Sequence, residues 1–387
     1  MNPQDEEMQE NSYWPSAVIV NLSSFHPVSA QQCEWLCSQL RQRILRSFSQ
    51  QFHHVRTLEG FGAPCYLTLS QKYLIVSHSM YTLKFFDRDS KEYLGEVEML
   101  REMPYKLLIQ SYALEPEDGN ECLIISSEES RAVYKMELFQ VVKRLCKKEP
   151  HVSQQEASDQ CPVVAVPHLW MSGSGDPEGY GSDDHLFTFP QACDLLPSQY
   201  LNMPHSDKFQ NSMKGHSYIV VCDGDNQRIK ILHPSTGQVV SMIRDDEAPL
   251  STWCQECAVT IDGRVAVADQ GKITLWKWNE NSLRWIRNQT ITISSDQVDA
   301  FTVDKLGDCF YCCLHGLPQI EDLGFNYYCI ELYSTNSGQF LKRFGKNSRS
   351  EMPKVDELNM PKCLLVDSRR GELLLVDFHN YRILVYQ

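Results

Sequence analysis

A chain of 387 residues with 42% hydrophobic residues and only 19 Gly belongs with folded globular proteins, not with fibrous ones. Its formal net charge of -14 at pH 7 disfavours a polyanionic partner such as RNA unless a local basic face escapes the average. No stretch approaches the ~18 uncharged apolar residues that cross a bilayer, so no membrane partner is expected.

Taken in order, residues 1–28 read as an acidic flexible tail. Asp5, Glu6, Glu7 and Glu10 face no base, and Pro15 and Pro27 prevent a continuous helix. Residues 29–48 read as an amphipathic helix, with Ser29 and Gln32 able to form a capping box. Cys33, Leu36, Cys37, Leu40, Ile44 and Phe48 lie on one of its faces. Such a helix either packs on the rest of the chain or is offered to a partner. The start has no basic segment followed by an apolar run, the pattern an export signal requires. The 15 cysteines stand mostly inside apolar runs and are expected as free thiols of a cytoplasmic protein, with the nucleus as the alternative.

From residue 53 the pattern is β. Residues 53–58 form a strand with no blade of their own, and groups of strands follow at about forty-residue intervals, the period of propeller blades. The first group is expected at 65–69, 73–76, 81–86 and 93–97, and the second at 106–110, 122–126, 132–137 and 141–145. The third is irregular: 163–166 is its expected inner strand, and the matching 218–221 comes much later. Residues 170–214 between them read as an insertion, acidic and turn-forming over 173–184. The alternative is a seventh, degenerate blade containing residues 185–189. Later groups are expected at 257–261, 264–268, 272–278 and 285–291, then at 300–303, 309–313, 328–334 and 340–344. The last, 363–366, 372–376 and 382–386, lacks a fourth strand. The orphan strand 53–58 supplies it and closes the ring, which removes both open sheet edges. The expectation is an all-β, six-bladed β-propeller with an N-terminal helix.

Two signatures recur inside these groups. Asp223, Asn226, Arg228 and Ile229 match Asp377, Asn380, Arg382 and Ile383 at identical spacing. Residues 235–240 are echoed by 336–341 and more loosely by 89–94. An apolar strand ending in Asp, an Asn three residues on and Arg-Ile opening the next strand resemble the NHL repeat. The resemblance covers residues 53–387 as architecture, but only the units around 218–240 and 360–387 carry the specific motif. It implies a six-bladed propeller of the kind found at the C-terminus of tripartite-motif proteins. No ring-finger or B-box series precedes residue 53, so ligase activity does not carry over.

Chemistry-bearing candidates are few. Cys254 with Cys257 and Cys309 with Cys312 form two C-x-x-C pairs that could supply zinc ligands, but Cys309 and Cys312 sit in a strand and face opposite ways. Core filling is the favoured reading, with no metal, no cofactor and no catalytic residue expected. In the repeated motif, Asp223, Asn226, Asp377 and Asn380 read as turn-stabilising residues. Arg228 and Arg382 read either as bridges to a nearby carboxylate or as contacts for a partner. Phe378, His379, Tyr381 and His78 complete the interaction candidates as an aromatic patch on the same rim. The expected function is a non-enzymatic scaffold or adaptor that binds protein through one rim. The alternatives are an RNA-binding regulator of the NHL type, as some family members are, and a propeller hydrolase or lyase.

Overall fold

The computed structural model describes residues 52–387 except 79–81, 100–105, 112–120, 128–129, 146–167, 175–180, 182, 202–216, 245–249, 251–255, 296, 317–327 and 348–353. The acidic tail and the helix expected at 29–48 lie outside the described residues. Strand β1 (His54–Leu58) precedes blade 1, formed by β2 (Pro64–Leu69), β3 (Tyr73–His78), β4 (Thr82–Asp87) and β5 (Tyr93–Glu98). Blade 2 contains β6 (Lys106–Ser111), β7 (Glu121–Ser127) and β8 (Ala132–Glu137), then the short helix α1 (Leu138–Val142), then β9 (Trp170–Gly173). Blade 3 is β10 (Pro190–Pro197), β11 (Ser217–Asp223), β12 (Arg228–Leu232) and β13 (Val239–Ile243). Blade 4 is β14 (Glu256–Val259), β15 (Val265–Asp269), β16 (Lys272–Asn279) and β17 (Arg284–Thr292). Blade 5 is β18 (Gln297–Asp304), β19 (Cys309–His315), β20 (Tyr328–Ser334) and β21 (Phe340–Phe344). A small parallel pair, β22 (Lys346–Asn347) and β23 (Glu357–Leu358), leads into blade 6, β24 (Pro361–Asp367), β25 (Glu372–Asp377) and β26 (Arg382–Tyr386).

The sheet order makes this a six-bladed propeller: each of six sheets has four strands, and β1 is the outer strand of blade 6. It pairs antiparallel with β26, Leu58 opposite Ile383 and His54 opposite Tyr386. The backbone of His53 and Gln387 extends the pairing with two hydrogen bonds of 2.9 Å. Closure places an apolar cluster in every seam. Alternation along β25 sends Leu373 and Leu375 into the seam with blade 5, and Leu374 and Val376 into the seam with blade 1. That is why these strands read as continuous apolar runs: both faces of each blade are covered. Each fully buried Leu or Val adds about 1.5–3 kcal/mol of burial free energy.

Two expectations are corrected in blades 2 and 3. The fourth strand of blade 2 is β9, not residues 141–145. Leu138 and Val141 are both buried one helical turn apart, so the expected strand 141–145 begins instead inside α1. The described residues of 170–214 are not an insertion. They supply the outer strand of blade 2 and, in β10, the inner strand of blade 3. The proposed inner strand 163–166 lies outside the described residues. β10 escapes a pattern search because it begins and ends in proline and carries Gln191 and Asp194. Residues 185–189 form no seventh blade; Phe187 is buried in the seam between blades 2 and 3.

Candidate interaction surface

A four-stranded meander fixes two rims. Turns between second and third strands and the connections between blades lie on one, here the upper rim; the other two turns of each blade lie on the lower rim. The repeated motif sits on the upper rim of blades 3 and 6, where it clamps the connection that enters each blade. In blade 3, Asp223 Oδ2 accepts from Arg228 Nε at 2.8 Å and Asn226 Nδ2 at 3.0 Å, while Oδ1 accepts from Thr188 N at 2.9 Å. Arg228 then donates to the carbonyls of Asp183 at 2.8 Å and Leu186 at 3.0 Å. Blade 6 repeats the geometry. Asp377 accepts from Arg382 Nε at 2.9 Å, Asn380 Nδ2 at 2.8 Å and Asn359 N at 2.7 Å. Arg382 donates to the carbonyls of Lys354 and Glu357, both at 2.8 Å.

The side chains of this motif are interior. Asp223 and Asp377 are fully buried, and Arg228 and Arg382 are nearly so. Burial pushes the Asp377 carboxyl above its ordinary range, while Asn380, Asn359 and Arg382 pull it down. Between Asn and Arg, Gln227 and Tyr381 adopt left-handed backbone, each with φ of 53°. Beside the blade 3 clamp, Lys230 is also buried, and its ammonium lies 3.9 Å from the Phe187 ring centroid.

The other candidates separate. His78 is half-buried at the end of β3, its Nε2 accepting from Gly62 N at 2.6 Å. Phe378 is half-buried against the blade 6 to blade 1 core, with Lys362 Nζ 4.7 Å from its ring centroid. His379 and Tyr381 face outward, Tyr381 with 55% exposure. On the upper rim the structure therefore brings two aromatic side chains to the surface and withdraws both arginines.

The lower rim holds residues that motif reading passed over. Among the described residues, twelve large hydrophobic side chains are exposed, and only Val355 and Tyr381 belong to the upper rim. Ile261 and Leu306 occupy the first turns of blades 4 and 5, and Leu283 the last turn of blade 4. Val55, Tyr93, Leu169, Phe340 and Leu341 stand at the lower ends of outer strands, Met171 lies mid-blade opposite Tyr134, and Phe139 is on α1. The signal was an apolar residue inside turn sequence, as in Thr260-Ile261-Asp262-Gly263 and Asp304-Lys305-Leu306-Gly307, where solvation favours polar residues. Burial pushes Asp308 on this rim up to about 6; Arg264 opposes the rise, and Asp262 and Asp304 add to it.

The second signature explains how this rim is held. In the last turns of blades 1, 3 and 5, the N–H groups of Lys91, Gly237 and Gly338 donate to the carbonyls of Asp87, His233 and Ser334, all at 2.9 Å. All three are left-handed. Gly237 is required on a second count, since a Cβ there would lie 2.5 Å from the Trp170 ring of blade 2. Lys91, at the matching position of blade 1, pairs with Glu372 of blade 6 at 3.0 Å. Beside it, Arg88 holds Asp367 at 2.5 Å, so ion pairs cross the closing seam. Burial pushes Asp367 up, but the hydrogen bond and charge of Arg88 outweigh it and hold the carboxyl below its ordinary range.

Among the described residues the cysteines are core, all buried except the half-buried Cys65. Cys309 and Cys313 enter the seam with blade 6, and Cys312 enters the seam with blade 4. Burial raises the Cys312 thiol far above its ordinary value, and Cys309 and Cys312 lie in different seams. Cys254 lies outside the described residues. Among the described residues, no group of three or more His, Cys, Asp or Glu is placed to hold a metal ion, and no helix is long and apolar enough to cross a membrane.

No family model matches the sequence, and no curated protein matches it. Among solved structures, the chain is similar to the β-propeller domain of Cps50 (Swd1) from Myceliophteria thermophila. The TM-score is 0.51 at 9% sequence identity, over 87% of this chain and 99% of that chain. At this identity the likeness shows the fold alone, a β-propeller.

Proposed function

We propose that the protein is a non-enzymatic, NHL-like scaffold or adaptor of the cytoplasm that holds a protein partner on its lower rim. The observation that carries this reading is the concentration of exposed apolar side chains there, nine of the twelve among the described residues. Scattered single apolar side chains need no explanation, whereas a band of them along one rim marks a contact surface. An RNA-binding reading would need outward cations on the motif, and Arg228 and Arg382 are committed to interior carbonyls. The test compares recovery of a specific partner by the tagged full chain and two variants. I261D/L306D should lose the partner while remaining folded, and H379A/Y381A should keep it. The opposite pattern would return the binding surface to the upper rim.

A further inference from the structure

The outer strands of blades 4, 5 and 6 form a cationic wall on an acidic protein. β17, β21 and β1 carry Arg284, Arg287, Lys342, Arg343 and Arg56, and not one Asp or Glu. The outer strand of blade 1 is the reverse, with Glu96 and Glu98 and no base. In a chain of net charge -14, three consecutive outer strands of one sign are a local exception to the average.

Large apolar groups accompany these cations. Leu283 precedes Arg284, Phe340 and Leu341 precede Lys342 and Arg343, and Val55 precedes Arg56; all four apolar residues are exposed. Several of the cations are also held in place. Arg287 lies 5.4 Å from the Trp276 ring centroid, Arg56 donates to the Ser90 carbonyl, and Arg343 pairs with the buried Glu331. Each of the three strands is the outer edge strand of its sheet, so one edge faces away from its own blade.

We infer that this wall binds an extended, acidic polypeptide segment bearing apolar side chains. Carboxylates would meet Arg56, Arg284 and Arg287, the apolar residues would cover Leu283, Phe340, Leu341 and Val55, and an exposed strand edge can accept main-chain hydrogen bonds. A nucleic acid would use the cations but leave the aliphatic side chains wet, so the combination selects protein. The inference rests on the scaffold reading above and names the chemistry of the partner.

The experiment measures binding of a labelled strand-length peptide alternating Glu with Leu and Val to the full chain by fluorescence anisotropy. A peptide with Gln for every Glu and an oligouridylate serve as comparisons. The acidic peptide should bind at least about tenfold more tightly than either, and weaken between about 0.1 M and 1 M salt as the screening length falls from ~10 Å to ~3 Å. R56E/R284E/R287E should reduce affinity at least about tenfold, and H379A/Y381A, on the opposite rim, should leave it unchanged. Should the charge-reversed protein not melt cooperatively, R56Q/R284Q/R287Q carries the comparison, with a loss of about threefold expected. Equal binding of the Glu and Gln peptides, tighter binding of the oligouridylate, or full affinity in the charge variants would overturn the inference. Absence of peptide binding together with loss of the partner in I261D/L306D would remove this inference and leave the lower-rim reading intact.

Discussion

Arg382→Met separates an interior clamp from a surface reader. The Arg382 side chain is 8% exposed and its partner Asp377 is 0% exposed. Methionine keeps the apolar stem but strands a buried carboxylate, and it leaves the Lys354 and Glu357 carbonyls without this donor. Removing one member of a buried ion pair costs about 3–5 kcal/mol, because the remaining charge stays desolvated. The loss should fall at the low end, since Asn380 and Asn359 continue to donate to Asp377. D377N/R382M should recover about 1–2 kcal/mol by removing the stranded charge. Urea denaturation of the three proteins measures both quantities, and hydrogen exchange should show residues 354–359 opening first in R382M. A variant within about 0.5 kcal/mol of the wild type, as for an arginine on the surface, would refute the clamp.

Deleting residues 1–60 removes β1 and should leave a protein that no longer melts cooperatively, whereas deleting 1–25 should not affect the melt; circular dichroism with sedimentation decides. At Gly263, with φ of +77°, a Cβ would lie 2.1 Å from the Tyr200 ring, so Gly263→Ala should cost about 1–3 kcal/mol by thermal denaturation. Combining it with Tyr200→Ala should relieve the steric part. Burial lowers the Lys135 ammonium from 10.5 to about 8, so between these values the unfolded chain holds a proton that the folded one has released. Stability should therefore rise with pH across that window, by about 3 kcal/mol in the limit. Lys135→Met should flatten the rise and gain about 2 kcal/mol at neutral pH, after losing the hydrogen bond from Nζ to the Pro234 carbonyl. A pH slope unchanged in this variant would show that another group supplies it.

Blades 1, 4, 5 and 6 were legible because their strands are apolar on both faces and punctuated by short turns; Leu373 to Val376 announce two seams before either is seen. Three strands of blade 2 were legible as well; its outer strand β9 and the inner strand of blade 3 were not, because long connections break the period and β10 carries the polar Gln191 and Asp194. Asp194 is there for its neighbour: its Oδ2 accepts from Val259 N of blade 4 at 2.7 Å. The Asp-Asn-Arg motif was legible as a turn device, yet its direction was not. The carbonyls that draw Arg228 inward belong to Asp183 and Leu186, more than forty positions earlier. The lower rim was missed for the opposite reason. Ile261 and Leu306 belong to no motif, and only the placement of both on one rim gives them meaning.

The most direct measurement of the central claim is hydrogen exchange on the full chain, free and bound to its recovered partner. Binding on the lower rim predicts slowed exchange at residues 260–264 and 304–308 and at the lower ends of the outer strands around 283 and 340. Slowing confined to 354–359 and 378–381, with the lower turns exchanging as in the free protein, would contradict it.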